Sequence, residues 1–507
     1  MAYSDSVSPV KHDGWVGASG GYITGRNNTA QDDDPSHPIS AYFAQMPAWQ
    51  TMRAVLEGNQ YLKGIAREYI PVLPNETDAC YQRRLMQALF TPYTSRVIDA
   101  AIGLIMRKPI TLEGGDEGFW EEWSQDCDRQ GTDFQEFARK LLTSSIGYGH
   151  ASIMVDYPKK TGIKTLADER QAKLMPYFTM IEPWQIIGWR QDRRKSGAQL
   201  EQVRIREYTT RPRGEFGEEI VEQIRVLENG SFKVFERKES DAKWVQVEAG
   251  RTSLPEIPIA TTYSEKKATF ISEPPLLDVA YINLAHYRLQ SQHLNALQVA
   301  GFPILQLKGW DTNDQKLQVD VSKALAFPSD AGAGASYVEP SNAAFQAYMD
   351  ELDALANQCS NLGIAVLAQQ KMVAEAAKKA QLDRADTNSM LANISLDLEQ
   401  TLQTAVDMAA AYAGQEAPVV GLSRDFDAQT LDGQGVTAIN TLFTSGLIDQ
   451  ETALQLLHQG EILKDDVDIE EILSRSEADE LKDIEMQVER TSALSEVGEG
   501  TQPNDEE

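Results

Sequence analysis

"LLDVAYINLAHYRLQSQHLNALQVAGFPIL", residues 276–305, follows Pro274 and Pro275 and has Asp278 and Arg288 as its charges, in a 507-residue chain of formal net charge −29. The prolines before it and its unbroken helix-forming composition predict a helix over 276–300. On a helical wheel Asn283, His286, Gln290 and His293 share a stripe, but Tyr287, Leu294 and Leu297 intrude on it. A surface helix would separate its polar and apolar faces. This one reads as a helix contacted nearly all round by protein, its amides pairing without the desolvation that buried charges incur.

Outward from that stretch, 42% hydrophobic residues allow substantial cores, and the length alone suggests about two to four folding units. No run approaches the roughly 18–20 apolar residues that span a bilayer, and the amino end lacks the basic-then-apolar pattern of a secretory signal. Cys80, Cys127 and Cys359 lie far apart without CxxC spacing, which fits free thiols better than a disulfide frame or a zinc site. With 47 Lys plus Arg against 76 Asp plus Glu, tight nucleic-acid binding through a basic surface is disfavoured. Residues 461–507 hold 17 acidic and 4 basic side chains, so this tail should be solvated.

The pattern along the chain predicts an α+β fold, mainly helical. Residues 1–45 read as a flexible arm containing "QDDDPSHP". From Met46 to about Lys108 the period is helical, broken by Pro71, Pro74 and Pro92, with Leu85, Leu89, Val97, Ala101 and Leu104 facing a core. Helices near 117–129 and 132–147 lead into "ASIMVDYP", a strand, with Gly147 and Gly149 turning the junction. Between about 150 and 263 the period changes to two, an antiparallel β module, and Asn229-Gly230 suits a type I′ hairpin turn. Residues 341–363 step apolar at Phe345, Tyr348, Leu352, Leu355, Cys359 and Leu362, with Gly363 suited to C′. A connector without a sharp apolar face follows over 364–386. Then Leu391, Ile394, Leu398, Leu402, Ala405, Ala409 and Tyr412 mark another helix, and short helices flank Gly446 and Gly460.

For chemistry the sequence is thin. No Gly-Lys dipeptide exists, so a phosphate-binding loop is absent. The histidines are six, His12, His37, His150, His286, His293 and His458, without an HExxH pair, so neither metal nor other cofactor is expected. Ser145, His150 and Asp156 in "SSIGYGHASIMVDYP" are the one enzymatic alternative, a serine hydrolase, but Ser145 lies outside any Gly-x-Ser-x-Gly elbow. Lys371, Lys378 and Lys379 form a small basic concentration within an acidic chain, equally accounted for as solvated surface.

The ordered stretches "YLKGIAREYIPVLPNETDACYQRRLMQALFTPYTSRVIDAAIGLIMRKPITL" (61–112), "SSIGYGHASIMVDYP" (144–158), "PYFTMIEPWQIIGWR" (176–190), "EPPLLDVAYINLAHYRLQSQHLNALQVAGFPIL" (273–305) and "LGIAVLAQQ" (362–370) resemble the bacteriophage portal proteins, the head-to-tail connectors. The resemblance spans roughly 45–480 and rests on order more than on any one motif. It implies a non-enzymatic ring of usually twelve copies at one capsid vertex of the virion, made in the host bacterial cytoplasm. Double-stranded DNA would be packaged, retained and ejected through it, without a membrane. On that plan 1–45 is the arm, 46–275 the wing, 276–300 the first stem helix, 301–340 the clip and 341–363 the second stem helix. Residues 364–386 become the tunnel loop, 387–430 the wing helix and connection, 431–490 the crown and 491–507 the acidic tail. The DNA-facing residues implied are Gln369, Gln370, Lys371, Lys378 and Lys379. Clip contacts are Lys308, Trp310 and Lys316, and Asn283, His286, Gln290 and His293 pack the stem between subunits. Partners implied are the large terminase, a head-tail adaptor protein, the major capsid protein and a scaffold. A generic helical ring or scaffold component that never meets DNA is the further alternative.

Overall fold

The computed structural model describes residues 34–158, 174–192, 199–237, 243–300, 304–308, 334–338, 342–367, 377–423, 433–445 and 447–459. They form two compact units divided after Arg424. The first unit mixes helix and sheet, as the two periods in the sequence require.

It opens with α1 (Ser40–Gly64), earlier than expected. Tyr42 and Gln45 are buried, so the arm reading fails over 40–45: Gln45 donates to Phe270 O at 2.9 Å and accepts from Ser272 N at 3.2 Å. A short α2 (Ala66–Tyr69), α3 (Asp78–Gln87) and α4 (Tyr93–Ile105) follow. Helix α4 buries Thr94, Ile98, Ala101, Ile102 and Ile105, while Leu89 is 53% exposed. Of the five residues expected to face a core, Leu85 and Ala101 are buried and Val97 and Leu104 half-buried; Leu89 differs because α3 ends at Gln87 and leaves it outside the helix.

Strand β1 (Thr111–Glu113), α5 (Glu117–Ser124) and α6 (Phe134–Tyr148) come next. Asp116 and Asp133 cap the two helices, accepting from Phe119 N and Glu136 N. Gly149 ends α6 in the left-handed region (φ +95°), where a Cβ is disfavoured, and β2 (His150–Asp156) starts at once. Gly147 does not share in the turn. It lies inside α6, where a Cβ would come within 2.9 Å of Leu56.

Strand β3 (Tyr177–Ile181) pairs with β2, and a 3-10 turn at Pro183–Gln185 carries the chain into β4 (Ile186–Asp192). Then come β5 (Gln199–Arg213), β6 (Gly217–Glu228), β7 (Ser231–Glu236), β8 (Val245–Arg251) and β9 (Ile259–Tyr263). Strands β4 to β8 form one antiparallel five-stranded sheet in sequence order; β3, β2 and β9 form a second, three-stranded one. Val203, Ile205 and Leu227 of the first and Ile181 and Ile259 of the second pack with Ile257 and Phe270 into one core. The hairpin falls where expected, with Glu228 opposite Ser231, but Gly230 alone of its central pair has positive φ (+73°), so the turn is not type I′.

After β10 (Lys266–Ala268) and β11 (Ile271–Ser272) come α7 (Leu277–Ala300), β12 (Ile304–Lys308), β13 (Gly334–Val338) and α8 (Asn342–Leu367). Helix α9 (Ala377–Ala413) and β14 (Val419–Gly421), paired with β1, close the unit. Two expectations shift here. Gly363 does not end α8 but lies buried within it, where a Cβ would collide with Val97 of α4. Helix also reaches into both ends of the 364–386 connector, because its Ala, Lys, Gln and Arg residues favour helix even without an amphipathic face.

Helix α9 buries Leu391, Ile394, Leu398, Leu402, Ala405 and Ala409, as its spacing predicts. It also serves the outer edge of the three-stranded sheet: Asp397 accepts from Tyr263 N at 2.6 Å and Thr401 donates to Thr261 O at 3.2 Å. Backbone groups of β9 that would lack partners are thereby satisfied. The second unit contains α10 (Gly433–Thr444) and α11 (Gln450–Gln459).

Candidate functional site

The most distinctive construction is the pair α7 and α8 with the β12–β13 ladder between them in sequence. Helices of 24 and 26 residues are about 36 and 39 Å long. They run antiparallel: Cys359 Sγ lies 4.0 Å from Val279 O near one end, and His293 stacks on Tyr348 at 5.8 Å toward the other. Five cross-strand pairs, from Ile304 with Val338 to Lys308 with Gly334, join the segments that follow α7 and precede α8.

The stripe on α7 divides into two environments. Asn283 is fully buried and spent inside the chain, accepting from Thr94 N at 3.2 Å and Thr94 Oγ1 at 3.1 Å and donating to Thr91 O at 2.9 Å. His286 is buried against the edge of Tyr93 at 5.2 Å, and burial holds its pKa below the ordinary value. Gln290 and His293 are half-buried. The covering that the uncharged helix demands thus comes, along its first half, from α1, α3, α4 and α8 of the same chain.

A second polar centre pins α7 from below. Arg84 and Glu76, 1% and 6% exposed, meet through Nε–Oε1 at 2.8 Å and Nη2–Oε2 at 2.7 Å. Arg84 also donates to Pro71 O at 2.6 Å and to Ser291 Oγ of α7 at 3.4 Å. The guanidinium holds the Glu76 carboxyl below its usual pKa. Sequence reasoning missed this pair, although "NETDACYQRR" supplies both charges beside a proline-broken turn.

Of the clip residues, Lys308 is exposed on β12, and Trp310 and Lys316 lie outside the described residues. Gln369, Gln370 and Lys371 also lie outside them. Lys378 and Lys379 fall in the first turn of α9.

Ser145, His150 and Asp156 are not brought together. His150 and Asp156 stand at opposite ends of β2, six residues or about 20 Å apart. Each is engaged elsewhere: Ser145 Oγ with Ser264 Oγ at 3.3 Å, His150 Nδ1 with Ser272 Oγ at 2.8 Å, and Asp156 accepting from Tyr177 at 3.1 Å. Burial lowers the His150 pKa to about 3, which leaves the imidazole neutral and a weak base, far below the pKa that suits a general base near neutrality.

A cleft of about 410 Å³ lies between α5 and the start of α6, with Ile110, Leu112, Trp120 and Phe134 among its walls and Glu117, Glu121 and Asp133 around them. The aromatic-acidic run "EGFWEEW" was its signal in the sequence. Among the described residues no group of three His, Cys, Asp or Glu is placed to hold a metal ion, and no helix is long and apolar enough to cross a membrane.

A family model described as a domain of unknown function (DUF4055) matches residues 275–413, the segment from α7 through α9. No curated protein matches the chain. Among solved structures, a chain of the "virion of native gene transfer agent (GTA) particle" is similar at 9% identity and TM-score 0.39, covering 78% of this chain and 98% of that one. Chains of the "neck of empty GTA particle computed with C6 symmetry" (10% identity, TM-score 0.38, 76% and 94% covered) and the "neck of native GTA particle computed with C12 symmetry" (11%, 0.39, 76% and 93%) are similar to the same degree. At these scores the likenesses fix neither a fold family nor a function.

Proposed function

We propose that this chain is a portal protein: a homo-oligomeric ring at one capsid vertex, through which double-stranded DNA is packaged, held and released. The observation that carries the reading is the antiparallel rod of α7 and α8, with the β12–β13 ladder between its helices and α9 following. It stands in the order that the sequence resemblance implies for first stem helix, clip, second stem helix and wing helix.

Charge supports the same reading. DNA sliding through a channel is retarded by many fixed ion pairs, so a chain of net charge −29 with few lysines near the α8–α9 connection suits a wall that repels phosphate and touches it seldom. Lys371, Lys378 and Lys379 with Gln369 and Gln370 are the proposed DNA contacts. Lys308, Trp310 and Lys316 are the proposed adaptor contacts. Large terminase, head-tail adaptor, major capsid protein and scaffold are the proposed protein partners. On this reading the subunit packing of the rod falls to the half-buried Gln290 and His293 rather than to Asn283.

Electron microscopy of the purified full chain tests the ring: closed rings with a central hole are expected, and a compact monomer at all concentrations overturns the proposal. Cross-linking to DNA during packaging then separates a portal from a ring that never meets DNA. Lys371→Ala, Lys378→Ala and Lys379→Ala together should reduce DNA retention, and unchanged retention removes these lysines as the contact.

A further inference from the structure

The cleft between α5 and the start of α6 is built, not left over from loose packing. Its apolar walls are Ile110, Trp120 and Phe134, all buried, and Leu112 of β1, half-buried. Gln135 donates to Ile110 O at 2.7 Å and accepts from Ile110 N at 3.0 Å; Trp120 Nε1 donates to Glu416 O at 2.9 Å, and Leu112 pairs with Val420 of β14. Walls tied in this way are preformed. The volume of about 410 Å³ is near the lower end of the roughly 300–1,000 Å³ of ligand pockets, which admits one or two side chains but not a whole helix.

Charge says what kind of side chain that is. Glu117 and Glu121 line the cleft one turn apart on α5, Asp133 lines it at the N-cap of α6, and all three are exposed. Like charges at i and i+4 repel along a helix, and a cation placed between them relieves the repulsion. A metal ion is a poor occupant, since among the described residues no group of three His, Cys, Asp or Glu is placed to hold one. A lysine or arginine fits both halves of the site: its methylenes cover apolar wall while its head stays beside water and the carboxylates. A second copy is the poorer source of that side chain, because the chain carries a net charge of −29.

We propose that this cleft is a docking site for a basic segment of a different protein. It takes a lysine or arginine side chain between Glu117, Glu121 and Asp133, and an adjacent apolar side chain against Ile110 and Leu112. The inference stands whether or not the chain forms a ring.

Saturation-transfer NMR titrations of the full-length chain test it, with the peptide acetyl-Leu-Lys-Leu-amide as probe. Binding is expected. It should be about tenfold weaker for acetyl-Leu-norleucine-Leu-amide, which lacks the cation, and for acetyl-Ser-Lys-Ser-amide, which lacks the apolar flanks. Glu117→Gln with Glu121→Gln should weaken the probe to a similar extent, whereas Glu218→Gln with Glu219→Gln, an exposed acidic pair on β6, should leave it unchanged. No transfer to the probe, equal binding of the norleucine or the serine peptide, or equal weakening by the two double variants overturns the proposal. So does spermidine binding more tightly than the probe in a way that Glu117→Gln with Glu121→Gln removes, which makes the cleft a polyamine site. Self-association of the chain abolished by that same pair seats a second copy there, and overturns it as well.

Discussion

Glu76→Gln should be among the most damaging single changes in the first unit, and its size follows from the partners left behind. The substitution removes the only carboxylate paired with Arg84 among the described residues and leaves a guanidinium that is 1% exposed. Removing one member of a buried ion pair costs about 3–5 kcal/mol, because the remaining charge stays desolvated. The double change Glu76→Gln with Arg84→Met removes that charge; what remains is the donor lost to Pro71 O and Ser291 Oγ, about 1–2 kcal/mol. The order of stability is therefore wild type, then the double variant, then Glu76→Gln alone. Urea unfolding followed by tryptophan fluorescence measures it, with hydrogen exchange of α3 and the adjoining part of α7 showing where the structure opens. Acid adds an independent check. A carboxyl whose folded pKa lies below its unfolded value contributes stability present above the ordinary carboxylate pKa and lost as pH falls through the folded value. The wild type should lose that contribution at acid pH, and Glu76→Gln should show a flatter acid limb. A Glu76→Gln chain as stable as the double variant refutes the reasoning, since the pair would then not be desolvated.

Other substitutions separate the roles of the helices. Asn283→Leu orphans Thr94 N, Thr94 Oγ1 and Thr91 O inside the chain, so it should lower unfolding stability by about 2–4 kcal/mol even in isolated subunits, as chemical denaturation would show. Gly363→Ala forces a methyl against Val97 and should cost about 1–3 kcal/mol, with Val97→Ala restoring part of it in the same assay. Glu182, held by a hydrogen bond from Ser144, has its pKa pushed up to about 7 by burial. A carboxyl raised in the fold contributes most below its unfolded pKa and less as pH rises through the folded one. Thermal stability should therefore fall between about pH 4.5 and pH 7, and Glu182→Gln should flatten that slope.

What the sequence made legible follows from periodicity and turn chemistry. The face of α9, the extent of α7 and the Asn229-Gly230 hairpin were readable because spacing fixes a face and two turn residues fix a loop. On the neighbouring helices Leu85 and Ala101 were read as core and are buried, but Leu89 was not legible, because a period says nothing once the helix it belongs to has ended, as α3 does at Gln87. Gly363 misled for a related reason: glycine stops a helix when φ is positive, but it also lets two helices approach, and only the neighbouring Val97 decides between these. The pairing of Glu76 with Arg84, the service of Asp397 to Tyr263 N and the passage of residues 34–39 over the sheet join sites far apart in sequence. No local pattern encodes them.

The uncharged helix can now be argued from its surroundings. Val279, Ala280, Asn283, Leu284, His286 and Tyr287 are buried by the same chain, so a charge at any of these positions would have to be desolvated without a partner. The polar groups already there are only partly satisfied: His286 Nδ1, Tyr287 OH and His293 Nε2 lack hydrogen-bond partners among the described residues. Toward its end the helix emerges, with Leu297 43% exposed and Gln290 and His293 half-buried. There the same lack of charge has no cause within the chain, because water would accept lysine or glutamate at no desolvation cost. The buried positions of the first half of α7 are therefore uncharged because the subunit must fold around them, and its two charges, Asp278 and Arg288, stand at exposed positions. If the second half is uncharged because another copy covers it, Leu297→Lys should leave subunit stability unchanged while weakening association, as sedimentation across a dilution series would show; intact association would leave that half without an assembly role.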